Sequence, residues 1–298
     1  MPRRRITFRQ LETFAAVAKH RSFTRAADAL HLTQPAISIQ VRQIADTIGL
    51  PLFEQQGRDL TLTRAGEELL DTVRSLDDVW NRFESAIDEI KGLRRGVLRV
   101  ALVTTAKYFL PRMLGAFCKR YPEIDIQLEI ASRDQIVARM RGNQDDLYVM
   151  SHPPADLEIV SYPFLDNEYV VIAPADHWAV GQNVTLQALA QEPFLLREAG
   201  SGSRLAIDQH LREVGLTLNV RLSLASNEAI RELVASGLGL AVLSRHALGE
   251  HLDPARVAVL AVSDFSLKRP WTVVHLRGKV LSLPAQAFLD ALLHTGLA

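Results

Sequence analysis

Seven apolar residues, Leu69, Val73, Leu76, Trp80, Phe83, Ile87 and Ile90, follow one another at alternating steps of four and three. That is the spacing of a helix carrying one narrow apolar seam over about three heptads. The spacing predicts a linker helix over 67–92, and it divides the chain into a small piece before it and a long piece after it. The small piece offers nothing to cover the seam. Two covers remain: the same seam on a second copy of the chain, or the chain's own C-terminal part. The stretch "GLRRG" at 92–96 breaks the helix and supplies a hinge.

Residues 1–66 hold three helical patterns and a short hairpin pattern. The first helix runs from about Thr7 to Lys19, with Leu11, Phe14, Ala15 and Ala18 on one face; the second follows the cap Ser22 and carries Phe23, Ala26, Ala27 and Leu30. After a tight "HLT" connection, Thr33 caps a third helix, "QPAISIQVRQIADTI". Its apolar stripe is Ile37, Val41, Ile44 and Ile48, and Pro35 sits in the first turn, where a missing N–H costs nothing. Two short helices joined this tightly outline a helix-turn-helix, and "LPLFEQQGRDLTLT", turning at Gly57, reads as a wing.

The outward face of the third helix presents Thr33, Gln34, Pro35, Ser38, Ile39 and Arg42. In a major groove Gln34 can pair with adenine, Ser38 with a base or phosphate, Arg42 with guanine or phosphate, and Ile39 can lie on a thymine methyl. Arg58 on the wing joins this set. Taken singly, these residues also fit an ordinary solvated helix face. The helix caps, the short turn, the wing and the local charge together favour the DNA reading. The whole chain is formally neutral, yet residues 1–66 carry ten Lys+Arg against five acids, +5, and the remainder carries −5. A basic reading module joined to a part with another ligand is the expectation, with double-stranded DNA as the first partner.

From Val97 strand and helix patterns alternate, as in an α/β domain with a mostly parallel sheet: "VLRVALV", a helix "TAKYFLPRMLGAFCKRY", "IDIQLEIA", "DQIVARMRG", "DLYVM". A second unit follows at "EYVVIAPA", "EPFLLREAGSGSRLAIDQHLREVG", "NVRLSLA", "NEAIRELVASG" and "LGLAVLS", and "PWTVVHL" with a last helix returns the chain to the first. This predicts an effector-type domain over 93–298 in two lobes, about 97–165 with 269–298, and 166–268. Small ligands bind in such a cleft. Thr104 and Thr105 stand at one helix start, and "GSGSR", with Ser201, Gly202, Ser203 and Arg204, opens another. Free N–H groups and hydroxyls there suit a small anion, although the same residues also serve as plain helix caps.

Composition removes other classes. With 48% hydrophobic and 23% charged residues and no long apolar run, a membrane partner is not expected, and the interrupted N-terminal apolar positions do not form an export signal, so the chain is expected in the cytoplasm. The lone Cys118 excludes a disulfide framework and suits a packed thiol. His152, His177, His210, His246 and His251 have no metal-ligand spacing, and no serine or cysteine has a recognisable base. Neither a metal, a cofactor nor an enzyme activity is expected. A solute-binding protein or an α/β enzyme would be the rival classes. The first needs an export signal and no DNA-reading helix, and the second needs catalytic groups.

The stretch from "VAKHRSFTRAADALHLTQPAISIQVRQIADTIGLPLFEQQGRDLTLTRAGEELL" resembles the winged helix-turn-helix of LysR-type transcriptional regulators, and the likeness extends over essentially the whole chain. Within that family, "TTAKYFLPRMLGAFCKRYPEI", "MSHPPAD" and "REAGSGSRLAID" look like the Calvin-cycle (RuBisCO operon) regulators. The resemblance implies a winged helix-turn-helix, a linker helix used in dimerisation and a two-lobed effector domain like periplasmic binding proteins. It also implies a homodimer assembling to a homotetramer, contact with RNA polymerase, and control of carbon-fixation genes or of another metabolic operon. By position, Thr104, Thr105, Glu198, Ser201, Gly202, Ser203 and Arg204 would border the effector site. The ligand would be a small anionic metabolite such as ribulose bisphosphate or phosphoenolpyruvate, or a nucleotide such as NADPH. The subfamily commonly reads "MGRPP" where this chain has Ser151 and His152, so His152 is expected to stand in for an arginine and to tighten anion binding as it protonates below about pH 6.5.

Overall fold

The computed structural model describes residues 6–56, 59–90, 95–249 and 252–294, with side chains described at all of these except 56, 85, 86 and 88–90. Arg58, Gly57 and most of the "GLRRG" hinge lie outside the described residues, as does the side chain of Ile90. The chain divides into two compact units, Met1–Glu84 and Ser85–Ala298.

In the first unit, helices α1 (Phe8–His20), α2 (Phe23–Ala29) and α3 (Gln34–Ile48) precede a hairpin, β1 (Phe53–Gln56) and β2 (Asp59–Leu62), and the long α4 (Arg64–Ile90). Local chemistry sets the helix ends. Thr7 and Gln10 form a reciprocal capping box on α1, and Ser22 accepts from the Arg25 N–H on α2. Thr33 occupies the cap position of α3, but its side chain makes no capping bond; Pro35 in the first turn starts the helix instead. Small Ala26 and Ala27 let α2 close on Val17, Ile37 and Val41, which form the centre of the three-helix core.

A second cluster of this unit corrects the reading of the apolar seam. Val73 is buried with Phe14, Ile44 and Leu52, and Leu69 packs against the same group. The first two turns of the seam are therefore covered by the module itself, because α1 and α3 bring distant apolar residues onto α4. The join is tight. Thr63 donates from Oγ1 to the Pro51 carbonyl at 2.6 Å and accepts from the Gly66 N–H at 3.1 Å, and a Cβ on Gly66 would stand 2.1 Å from the Leu52 carbonyl oxygen. Further along, Leu76, Val79, Trp80 and Phe83 stay exposed.

The second unit runs β3 (Gly96–Val103), a 3-10 turn (Thr104–Tyr108), α5 (Leu110–Arg120), β4 (Ile124–Ala131), α6 (Arg133–Arg141), β5 (Leu147–Met150) and β6 (Ile159–Leu165). It continues with β7 (Glu168–Pro174), β8 (Asn183–Val184), α7 (Leu186–Leu189), β9 (Pro193–Arg197), α8 (Gly202–Val214), β10 (Asn219–Leu224), α9 (Asn227–Ala235) and β11 (Leu240–Ser244). The last elements are β12 (Val257–Val259), β13 (Ala261–Val262), β14 (Leu267–Lys268), β15 (Trp271–Leu276) and α10 (Leu283–His294). One sheet has the order β4-β3-β5-β15-β6, the other β10-β9-β11-β7-β12 with β14 also on β7. Each carries its own core, around Leu98, Leu102, Tyr148 and Phe288 in the first and around Phe194, Leu196, Leu240 and Val242 in the second. Cys118 packs half-buried on the first core.

The sheets are mixed rather than mostly parallel. β3 runs parallel to β4 and β5, and β9 parallel to β10 and β11, but β15 and β7 run antiparallel to their neighbours. The reason is the crossing. β7 and β15 enter their sheets from the cleft, directly from the other lobe, whereas the parallel strands finish there after helical crossovers. No helix among the described residues is long and apolar enough to cross a membrane.

Candidate functional site

The outer face of α3 stands as a polar ridge on the first unit. Gln34, Pro35, Ile39 and Arg42 are exposed, and Ile39 keeps 57% of its surface. Gln34 donates from Nε2 to Ser38 Oγ at 2.9 Å, one helical turn on, so the two side chains form one prearranged hydrogen-bonding edge. Behind this face Ile37, Val41 and Ile44 are buried, which fixes the rotation of the helix and keeps the edge outward.

In the second unit, strands β3, β5 and β9 finish at one place, and their carboxyl ends wall a cavity of about 10 Å³, room for a single water. It is lined by Val103, Thr104, Thr105, Arg133, Ser151, Arg197, Glu198, Ser201, Gly202, Ser203 and Trp271. Six of the residues expected from the sequence, Thr104, Thr105, Glu198, Ser201, Gly202 and Ser203, thus meet on one wall set. A larger cleft of about 970 Å³ opens beside the two lobe crossings, near Leu165–Glu168 and Lys268–Pro270, where Arg245 is engaged by Glu168 at 2.7 Å. Buried polar groups converge on the smaller one.

Its centre is Arg197, the last residue of β9 and only 2% exposed. Nε and Nη2 hold the two carboxylate oxygens of Glu198 at 2.8 and 2.9 Å; Nη2 also reaches Thr104 Oγ1 at 3.3 Å, and Nη1 reaches Thr105 Oγ1 at 3.1 Å and Asn227 Oδ1 at 3.0 Å. Five bonds use all five guanidinium N–H donors. The threonines come from the first lobe and Arg197 from the second, so this fork ties the lobes. Beside it, Lys107 and Tyr108 both reach Glu228 Oε1, at 2.9 and 2.7 Å. Desolvation works against the Glu228 charge, but hydrogen bonds from Tyr108, Lys107 and Ser226 outweigh it and hold the carboxyl at about 2, while burial and the same bond push the Tyr108 phenol up to about 12.

The hydroxyls divide by role. Thr104 and Thr105 open a 3-10 turn, not the α-helix expected; α5 starts at Leu110, and neither threonine caps it. Their oxygens accept from Arg197 instead. Ser201 does cap α8, accepting from the Arg204 N–H at 3.2 Å. Ser203 is buried on the cavity wall, and the Trp271 ring lines the cavity with its Nε1 buried and unpartnered.

Two expected residues are corrected. Arg204 does not line the cavity: its Nε pairs with both Asp208 oxygens at 2.8 and 3.0 Å, and its Nη1 donates to the Arg197 carbonyl and to Ser223. The i,i+4 acid captures it. His152 does not line it either. The second cation on the lining, beside Arg197, is Arg133, which donates from Nε to the His152 carbonyl at 3.1 Å and forms no ion pair among the described residues. Burial, then the charges of Arg133 and Arg269, lower the His152 pKa. His152 is therefore expected to titrate below its ordinary 6.5. An NMR titration assigned with His152→Gln checks this, and a ring titrating above 7 would restore it as a cation.

Arg133 and Arg197 are absent from the sequence expectation, yet each left a trace. Arg133 is a cation at the first position of a helix capped by Ser132, where the helix dipole disfavours positive charge. Arg197 ends the apolar strand "PFLLR" just before a glycine-rich loop.

Residues 8–67 match the model of the bacterial regulatory helix-turn-helix protein, lysR family, and residues 91–296 match the LysR substrate binding domain. The chain is 43% identical to a RuBisCO operon transcriptional regulator of Acidithiobacillus ferrooxidans (97% of this chain, 94% of that one) and 42% identical to the HTH-type transcriptional activator CmpR of Synechocystis (96% and 94%). The regulatory domain of Synechocystis CcmR in complex with 2-PG is similar at 44% identity and TM-score 0.65, covering 68% of this chain and 98% of that one. Full-length CbnR complexed with its target DNA shares the fold at TM-score 0.65 and 20% identity, over 97% and 99% of the chains. With both halves matched and relatives above 40% identity along nearly the whole length, the chain belongs to the LysR family of DNA-binding transcriptional regulators, on its Calvin-cycle regulator branch.

Proposed function

We propose that this regulator acts on carbon-fixation genes in the cytoplasm, and that a small phosphorylated acid of the 2-phosphoglycolate type, held in the cavity at the ends of β3, β5 and β9, changes its binding or bending of DNA. One observation carries the ligand class: two guanidinium groups, Arg133 and Arg197, meet two threonines and three serines, Ser151, Ser201 and Ser203, on one small cavity. Such a set suits a phosphoryl or carboxylate group. The similar CcmR domain with 2-PG and the RuBisCO operon regulators among the relatives support the same reading. At about 10 Å³ the cavity holds no such ligand as it stands, so the lobes part for entry and the Arg197 fork re-forms around the guest. Calorimetry of the full chain with 2-phosphoglycolate, beside neutral glycerol, tests it: saturable binding of the acid alone is expected, and no binding would refute it.

The first unit reads the operator through Gln34, Ser38, Ile39 and Arg42, with Thr33 and Pro35 at the backbone, in a homodimer joined through Leu76, Trp80 and Phe83 and doubled to a tetramer that contacts RNA polymerase. Because the Gln34 amide can meet an adenine edge bidentately, Gln34→Ala is expected to cost about 1–3 kcal/mol on the operator and little on random DNA. Gel-shift titrations on both DNAs check it; equal losses would make Gln34 a positioning residue only.

A further inference from the structure

Resting on the reading that the cavity binds an anion, we infer that Glu198 is a built-in competitor for the effector, and that this competition makes the site select a phosphoryl group over a carboxylate. All five N–H donors of Arg197 are engaged. The two that offer a parallel, bidentate face, Nε and Nη2, hold the Glu198 oxygens at 2.8 and 2.9 Å. That face is the one a planar or tetrahedral anion takes. Thr104, Thr105 and Asn227 occupy the remaining donors, and these are neutral side chains that leave the guanidinium charge uncompensated. The Glu198 carboxylate thus sits where a ligand's oxygens would sit, and the space left beside it, about 10 Å³, has room for no more than one water.

Two features make this carboxylate displaceable. Arg197 is 2% exposed in its side chain, but Glu198 is 31% exposed, so Glu198 can turn to solvent and recover hydration while Arg197 cannot. The backbone need not move with it, since the Glu198 N–H is held by the Leu224 carbonyl at 3.0 Å. A monocarboxylate offered in its place gains nothing over the carboxylate already there. A phosphoryl group near pH 8 carries close to two charges and three acceptor oxygens, and it can engage Arg197 and Arg133 together. The resident acid therefore raises the threshold that any ligand has to pass and raises it most for weak anions.

The test compares wild type with Glu198→Gln by calorimetry at pH 8, with 2-phosphoglycolate and glycolate as probes and melting curves as the check on folding. Glutamine keeps the shape and removes the charge. Affinity for 2-phosphoglycolate is expected to rise about tenfold or more, the order of a charge-assisted contact freed, and that for glycolate to rise further, so that the preference for the phosphoryl acid narrows. If Glu198 only orients Arg197, binding of both probes falls instead, which overturns the inference, as does unchanged affinity. Glu198→Ala, which also removes the orienting contact, is expected to bind 2-phosphoglycolate more tightly than wild type; weaker binding than wild type in both variants overturns the inference. Failure of wild type and both variants to bind 2-phosphoglycolate refutes the anion site itself and the competitor with it.

Discussion

Arg197→Met is expected to abolish measurable binding of 2-phosphoglycolate, a loss of at least about a hundredfold, and to lower the melting temperature of the effector unit. The binding loss follows from removing a cation only 2% exposed, whose charge is almost wholly shielded from water, since a buried charge–anion contact is worth about 1.5–3 kcal/mol and a bidentate pair more. The stability loss follows from what the guanidinium leaves behind. Thr104 Oγ1 and Asn227 Oδ1 lose their Arg197 donors, Thr105 Oγ1 keeps only the one from Asn227 Nδ2, and the lobes lose the fork that ties them. Because Glu198 can turn to water, the cost is expected at about 2–4 kcal/mol, around and below the low end of the range for breaking a buried ionic pair, or roughly 4–16 °C in a unit of this size. Differential scanning calorimetry and ligand titration check both. Arg197→Lys keeps the charge without the fork and is expected to recover stability only in part and binding barely. Should the methionine variant fail to fold, Arg133→Met carries the binding argument: among the described residues Arg133 makes one hydrogen bond, to the His152 carbonyl, so affinity is expected to fall with little change in melting. A methionine variant that folds and binds as wild type would remove Arg197 from the site.

What the sequence disclosed and what it withheld divide along the range of the interactions. Ser22, Pro35 and the stripe Ile37, Val41, Ile44 act over one or two turns, so the reading module was legible from spacing and cap residues. The threonines and the "GSGSR" loop were legible as strand-end chemistry for the same reason. Arg197 was not, because its role depends on Thr105, 92 residues away, and on Asn227, 30 residues away. Only the meeting of the ends of β3 and β9 puts a strand-terminal arginine at the centre of the polar cavity. The reverse error arose with Arg204, whose sequence position beside Ser203 suggested a ligand contact while Asp208, one turn later, neutralises it. His152 failed in a third way. The substitution pattern pointed to it, but the cation that lines the cavity there is Arg133 on a neighbouring helix, and burial first, then that charge, lower the pKa of the ring. The spacing on α4 marks the apolar residues and not their cover, since periodicity does not record that Phe14, Ile44 and Leu52 reach Val73.

Replacing Trp80 and Phe83 together by glutamate is expected to separate the dimer while leaving both units folded. Leu69 and Val73 are already packed inside the first unit, so the part of α4 left for a partner is Leu76, Val79, Trp80 and Phe83, with Val79, Trp80 and Phe83 each 52–54% exposed. Phe8 extends this patch, its ring 6.0 Å from Trp80, which in turn stands 5.5 Å from Phe83. Exposed aromatics this close together form an apolar surface of the kind a soluble monomer rarely keeps bare. In a two-fold dimer each ring is counted twice. At about 25 cal/mol per Å² and roughly 100 Å² of each ring covered on association, four rings contribute on the order of 10 kcal/mol before the entropy of association is subtracted. Four glutamates facing one another across the axis remove that and add like-charge repulsion. Because the substituted side chains are already in water within one chain, little unfolding penalty is expected. Sedimentation at micromolar concentration should then return the monomer mass, with each unit still melting cooperatively, where wild type returns a dimer or tetramer. Binding to a full operator should weaken far more than binding to a half-site, since the half-site uses only one α3. A double variant that still sediments as a dimer would show that the chains meet elsewhere than on this face of α4.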